Sequence, residues 1–390
     1  MKQIIGNAAR KEQFYPRNDV RARILDSVRA GENILISAPR RVGKTSVLIN
    51  FIDNSDPDFF GVYLDLESVD SSEEFFRLIL KQILSTDGIE NFGHFGKSTK
   101  SMLTKWANKI ASLSIASVGI SLNQPLESSA YDQFCDFLNE INLEGKKILI
   151  MIDEFPTTID NIKDKHGDAA ALLFLNMNRS LRMNTTFGEK VKFIYCGSIS
   201  LLSVVSKLRG TDRINDLREI KIGALRKTEA KDFVHQLLEE KSDQKLGDEL
   251  LDYILEKVEW WIPFYFQLFV HEFYELIAYE NGTWSKETVD IAMENVSKNG
   301  NIYFEHQRAR LERTRDLNEK KFKLQLLADI AKRGSIGYDE IINLAEKNKV
   351  RTQIQNLLDE LMYDGYLVDF MENDLTYYKF YSPFLKRWWR

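Results

Sequence analysis

The sequence predicts a parallel α/β sheet domain, then an all-helical segment, then a small terminal domain of three helices and a β-hairpin. Three observations carry that prediction. Apolar runs of strand length alternate with helical patterns up to about Gly223. Only helical periodicity continues from Lys227 to about Arg315. From about Lys320 the pattern changes to three helices followed by a hairpin. At 390 residues the chain has room for two or three domains, each with its own core.

From Arg17 to Ala30, the residues Val20, Ile24, Leu25 and Val28 recur at helical spacing, with Gly31 as the stop. Asn33 to Ala38, NILISA, reads as a short buried strand and Lys44 to Phe51 as a helix, with a tight turn between them. Gly61 to Leu66, Ile148 to Asp153, Val191 to Cys196 and Arg218 to Ile222 read as further strands, separated by helical patterns such as SSEEFFRLILKQIL and SSAYDQFCDFLNEI. Continuous apolar runs of this kind mark strands covered on both faces of a parallel sheet. Near the end, KFKLQLLADIAKRG, YDEIINLAEK and VRTQIQNLLDELMYDGY read as helices. LVDFMENDLTYYKFYSP then reads as a hairpin turning around Glu372 to Asp374, which is winged-helix grammar.

Composition narrows the function classes. Hydrophobic residues at 44% and charged residues at 28% exclude wholesale disorder, and a net charge of −5 excludes polyphosphate binding by bulk charge. Two cysteines, Cys135 and Cys196, exclude a disulfide scaffold, and five scattered histidines without HxxxH or CxxC spacing argue against a His–Cys metal centre. The first residues lack the apolar stretch of a signal peptide, and the longest uncharged stretch, Ile110 to Leu126, is broken by Ser, Gly, Asn and Gln. The expected compartment is the cytoplasm, with no membrane partner.

The strongest chemical signal is APRRVGKT, Ala38 to Thr45, which fits the phosphate-loop spacing G-x-x-x-x-G-K-[ST] with Ala38 in place of the first Gly. Gly43 lets backbone N–H groups close on phosphate oxygens, Lys44 brings a cation to the β- and γ-phosphates, and Thr45 offers a hydroxyl to Mg²⁺. A helix starting at Lys44 adds the positive end of its dipole. The second signal is ILIMIDEFP, an apolar strand ending in Asp153, where a carboxylate can hold Mg²⁺ through water beside Thr45, and Glu154 can polarise an attacking water. A third strand, VKFIYCGSIS, ends at Gly197 and Ser198. Ser198 either reaches the γ-phosphate or the attacking water, or caps the helix SLLSVVSKL.

Together APRRVGKTS, ILIMIDEFP and IYCGSIS resemble the archaeal-type ATPase family of P-loop NTPases, in the STAND branch related to AAA+ and origin-recognition ATPases. The opening FYPRNDVRARILDSVRAGENILISAPRRVGKTS, GVYLDLESVDSSEEF, the lid-like WIPFYFQLF (Trp261 to Phe269) and the tail YYKFYSPFLKRWWR extend the likeness over nearly the whole chain. Trp261 stands where the lid motif commonly has Gly. The resemblance implies an α/β P-loop NTPase with an AAA+/STAND-like parallel sheet over residues 1–223, a helical lid over 224–316 and a C-terminal winged helix over 317–390. It implies a Mg·ATP site in which Pro39, Arg40, Arg41, Val42, Gly43, Lys44, Thr45 and Ser46 form the loop. Thr45 and Asp153 serve Mg²⁺, Glu154 activates water and Ser198 senses the γ-phosphate. Phe14, Tyr15, Pro16 and Arg17 would sit near adenine or ribose, unless the aromatics staple the first helix. Pro263 would lie near the base, unless it simply opens a buried helix.

Arg209, Arg213 and Arg218 are the candidates for an arginine finger. The winged-helix segment from Lys320 to Arg390 carries 12 Lys+Arg and 10 Asp+Glu, a net of +2, and its recognition helix holds Asp359, Glu360 and Asp364. That balance disfavours duplex binding, although Arg351, Thr352, Gln353 and Gln355 are placed to read bases. The basic island HQRARLERTR, with Arg308, Arg310, Arg313 and Arg315, is either a solvated helix face or a phosphate contact. Leu385, Trp388 and Trp389 are expected on the third helix and hairpin, and Asn91 to Gln124 reads as an insertion at the edge of the nucleotide domain. The expected function is an ATP-binding, ATP-hydrolysing switch, with slow turnover, whose lid and winged helix contact a protein partner, self-association being open. The alternatives are an ATP-regulated DNA-binding protein and a non-hydrolysing scaffold.

Overall fold

The apolar runs form β1 (Asn33–Ser37), β2 (Phe59–Asp65), β3 (Lys147–Asp153), β4 (Val191–Tyr195) and β5 (Leu217–Lys221). The computed structural model describes residues 1–85, 101–108, 129–241, 246–298, 301–312 and 314–390. The strands pair in parallel in the order β2-β3-β4-β1-β5. β4 is buried along its whole length and β3 from Ile148 onward, as strands covered on both faces must be. β5 closes one edge with exposed Arg218, Glu219 and Lys221, charges that discourage further pairing. The chain leaves the adjacent strands β1 and β4 in opposite directions along the sheet, and such a reversal opens a crevice at the carboxyl ends.

The described helices of this part of the chain include α1 (Asn18–Arg29), α2 (Lys44–Asp53), α3 (Ser72–Ile83), α4 (Ala130–Glu140), α5 (Phe155–His166), α6 (Asp168–Met183) and α7 (Leu201–Lys207), with a single further turn at Thr185–Gly188. Their starts follow local chemistry. The Ser71 and Ser129 side chains accept the first free N–H groups of α3 and α4, each cap stabilising by about 1 kcal/mol. An aromatic core of Phe75, Phe76, Phe134, Phe137, Phe155 and Phe174 fills the space between helices and sheet. Most of the expected insertion, 91–124, lies outside the described residues. Within it residues 101–108 are helical, and Trp106 donates from Nε1 to Glu140 at 2.9 Å.

By its contacts the chain forms two compact units, Arg17–Ser37 with Lys44–Lys221, and Met1–Pro16 with Ala38–Gly43 and Ile222–Arg390. The second unit holds α8 (Lys227–Glu239), α9 (Asp248–Val258), α10 (Pro263–Tyr279), α11 (Lys286–Val296) and α12 (Ile302–Glu312). The terminal part adds α13 (Leu317–Arg333), β6 (Ser335–Gly337), α14 (Tyr338–Lys347), α15 (Ile354–Tyr363), β7 (Leu367–Glu372), β8 (Leu375–Phe380) and α16 (Pro383–Trp389). The hairpin turns on Asn373 and Asp374, at φ 49° and 59°, the two left-handed residues that a tight hairpin turn requires. β6, three residues long, is an addition to the elements read from sequence; it pairs antiparallel with β8 and completes the winged helix.

The tail differs in part from expectation. Trp389 packs on Phe380 of β8 at 5.9 Å, but the helix it belongs to lies on α13, where Arg390 Nε donates to the Ala331 carbonyl at 2.9 Å. Trp388 meets Phe304 of α12 at 5.9 Å. Further aromatic contacts join the expected lid to the winged helix: Trp260 stacks on Tyr381 at 4.0 Å, and Tyr265 on Phe384 at 5.8 Å. The two segments therefore share one core. Among the described residues no helix is long and apolar enough to cross a membrane.

Candidate functional site

The acidic turn is set by its neighbours in sequence. Phe155 is fully buried against Phe75, Phe174 and Tyr195, and Pro156 opens α5, so the chain must turn sharply between strand and helix. Glu154 makes that turn in the left-handed region, φ 58° and ψ 28°. Asp153 is 4% exposed, and a carboxylate so placed must be hydrogen-bonded. Its Oδ2 accepts from the Thr45 hydroxyl at 2.6 Å and from the Tyr63 hydroxyl at 3.3 Å. Its Oδ1 accepts from the Cys196 thiol at 2.9 Å and from the Glu154 N–H at 3.1 Å. Burial and then the Asp153 charge push the Cys196 thiol well up, and burial followed by Asp153 raises the Tyr63 hydroxyl, so both remain donors.

Tyr63 and Cys196 are additions to the residues read from sequence. The strand period contains the signal. Tyr63 pairs with Met151, so Asp153 is its diagonal neighbour, and Cys196 follows Tyr195, the partner of Ile152.

Glu154 is the residue before α5, yet its carboxylate makes no cap with its own helix. It turns to Ser198, whose backbone N–H and hydroxyl donate at 3.0 and 2.7 Å, and it also accepts from the Thr157 hydroxyl at 2.9 Å. The cap of α7 is Ser200, which accepts from the Ser203 N–H. The cap of that helix, one of the two readings left open for Ser198, is thus supplied by Ser200.

Lys44 and Thr45 open α2, at the positive end of its dipole. Lys44 is buried, and its charge acts on the Cys196 thiol. Ser46 is buried one position further on. Gly43 sits at φ 97°, a conformation only Gly adopts without strain. The preceding residues of the loop belong to the second unit. Arg41, at φ 69°, lies over the Phe264 ring at 4.6 Å and the Tyr303 ring at 5.6 Å, and donates to the Gly6 carbonyl at 3.5 Å. Arg40 approaches Asp364 at 3.8 Å. Pro39 is half-buried, and Ala38 and Val42 are buried. The loop arginines thus direct their side chains to protein groups.

The remaining candidates are dispersed. Tyr15 donates to Asp232 at 2.8 Å and meets Phe233 edge-on at 5.3 Å, both on α8. Phe14 is half-buried behind a short turn at Lys11–Gln13, and Arg17 is buried at the start of α1. Pro263 occupies the first turn of α10, as a helix-opening Pro does. Just before it, the Trp261 indole N–H donates to the Leu255 carbonyl at 3.0 Å.

Arg209 and Arg218 are exposed, while Arg213 pairs with Asp212 at 2.7 Å. In the basic island Arg308 pairs with Glu312 at 3.4 Å and Arg310 lies 4.0 Å from Asp364, while Arg313 falls outside the described residues. Arg351 pairs with Glu346, and Gln355 donates to Asp359 at 2.9 Å. The described side chains nominated for DNA are largely engaged within the chain.

The Thr45–Asp153 pair offers one hydroxyl and one carboxylate, with the Cys196 thiol donating to the carboxylate, and among the described residues no three His, Cys, Asp or Glu are grouped to hold a metal ion. One carboxylate and one hydroxyl suit Mg²⁺, which keeps several waters and relies on substrate phosphates for the rest of its shell.

No protein-family model and no curated protein matches the chain. Among solved structures, the Walker-type ATPase of Pyrococcus abyssi is similar at a TM-score of 0.60 and 18% identity, over 98% of this chain and 98% of that one. The ORC2 protein of Aeropyrum pernix, solved as ADPNP–ADP complexes, is similar at a TM-score of 0.52 and 14% identity, over 99% and 94% of the two chains. At these identities the likeness is one of fold, and it supports the fold expected from the sequence.

Proposed function

We propose that this chain, an α/β P-loop NTPase by fold with a helical lid and a terminal winged helix, binds Mg·ATP and hydrolyses it as a molecular switch. The observation that carries the reading is the 2.6 Å hydrogen bond from Thr45 to Asp153, which brings the phosphate-loop hydroxyl and the acidic strand end together. Lys44 neutralises the β- and γ-phosphates, and the N–H groups of Arg40 to Ser46 cradle their oxygens. Thr45 and Asp153 hold Mg²⁺, which when bound screens the phosphate charge and orients the γ-phosphoryl group. Glu154 takes the proton of the attacking water. Tyr15, Phe14, Arg17 and Pro263 are assigned to the base and ribose by the resemblance alone.

The ADPNP and ADP bound by the Aeropyrum pernix ORC2 protein support ATP and ADP as the ligands of this chain. The division into an ATPase domain (1–223), a lid (224–316) and a winged helix (317–390) belongs to the same reading, as does a protein partner that reads the nucleotide state. DNA is a weaker partner here, because Arg308, Arg351 and Gln355 already have partners in the chain. The test is Glu154→Gln, which keeps the shape and removes the proton acceptor. ATP binding should persist while turnover falls by roughly 10²- to 10⁴-fold, the weight of one general base. An unchanged rate would take the catalytic role away from Glu154.

A further inference from the structure

The function proposed above makes Glu154 a proton acceptor, and a proton acceptor must be aimed. Three donors converge on a single oxygen, Oε2: the Ser198 N–H at 3.0 Å, the Ser198 hydroxyl at 2.7 Å and the Thr157 hydroxyl at 2.9 Å. Among the described residues no hydrogen bond reaches Oε1. One oxygen is anchored, and the other is left for a water.

The anchors are themselves fixed. Cys196 N–H donates to the Ile152 carbonyl at 2.9 Å and Phe155 N–H to the Cys196 carbonyl at 3.0 Å, lacing the end of β4 to the acidic turn. Gly197 lies so close to α5 that a Cβ there would fall 2.5 Å from Pro156 Cδ, so only Gly brings Ser198 this near to Glu154. Thr157 comes from the first turn of α5, whose start Phe155 pins in the core.

We propose that Thr157 and Ser198 are positioning residues for Glu154, which hold Oε2 so that Oε1 faces the attacking water. This rests on Glu154 being the base. It also gives Ser198 a different duty from sensing the γ-phosphate: a serine hydroxyl has one proton to donate, and here it goes to the carboxylate.

The experiment compares Ser198→Ala, Thr157→Val and Thr157→Ser, each alone and combined with Glu154→Gln, in single-turnover hydrolysis and in binding of ATP and ADP. Loss of one hydrogen bond to a charged acceptor should lower the rate by about three- to thirtyfold in Ser198→Ala and Thr157→Val. Affinities for ATP and ADP should stay within about twofold in both, if both residues act through Glu154 and not on phosphate. Thr157→Ser should restore the rate, which a purely structural defect would not predict. In the Glu154→Gln background neither change should cost more, because residues that act through one group are not additive. Additive losses would overturn the inference while leaving Glu154 as the base. So would a selective loss of ATP over ADP in Ser198→Ala, which would mark a γ-phosphate contact. Wild-type turnover in Glu154→Gln would overturn both.

Discussion

Two stretches of one short motif sit in different surroundings. Lys44 and Thr45 open α2, and Thr45 is hydrogen-bonded to the acidic end of β3 in the sheet unit. Arg40 and Arg41 direct their side chains to Asp364, Phe264 and Tyr303, all in the helical unit. The comparison separates what phosphate chemistry demands from what the rest of the protein uses. A cation and a hydroxyl at the helix start are chemical requirements. The positions before Gly43 need only a backbone that follows the turn, so their side chains are available for contacts elsewhere.

The sharpest way to break this contrast is Lys44→Ala. If the lysine is the cation of the phosphate site, its removal should weaken ATP binding by about a hundredfold or more, the order expected for a charge-assisted contact in a partly dry site. Equilibrium binding of a fluorescent ATP analogue measures it. Micromolar binding that survives would remove the phosphate-loop assignment altogether. Asp153→Asn should have a smaller and different effect. It keeps the size of the side chain but turns one acceptor oxygen into an N–H donor and loses the charge that favours a divalent cation, so the Mg²⁺ needed for half-maximal ATP binding should rise by about tenfold. ATP binding in excess EDTA should hardly change, and a loss there would assign Asp153 to the fold.

How legible the two stretches are differs as well. The five strands of the sheet are readable because strands buried on both faces carry continuous apolar runs, and each end differs by no more than a residue or two from expectation. Asp153 and Thr45 are readable because the motif specifies chemical types at fixed places. The direction of Arg41 is not, since nothing in an arginine announces a φ of 69°. Ser198 and Ser200 are equally good caps in sequence, and only the start of α7 at Leu201 decides between them. Thr157 carries no sequence signal, because a threonine early in a helix is ordinary. β6 escapes a sequence reading because three residues are too few to show a period. The physical pattern is consistent: burial and motif chemistry are written residue by residue, while side-chain direction depends on partners far along the chain.

Arg41→Ala carries the smallest expected effect and sharpens the comparison most. Its guanidinium stacks on two rings and donates to the Gly6 carbonyl, so truncation removes a contact of about 1–2 kcal/mol in the helical unit. The melting midpoint should fall by about 2–6 °C, as expected for a unit of this size. ATP affinity should stay within about threefold of wild type, since the backbone N–H remains and the side chain is already committed. Arg41→Lys should fall between the two in stability, because an ammonium keeps the charge over the ring but loses the flat stacking surface. A tenfold or greater loss of ATP affinity in Arg41→Ala, with an unchanged melting midpoint, would place its guanidinium on phosphate. The loop would then have one job along its whole length, and the contrast between its two stretches would be gone.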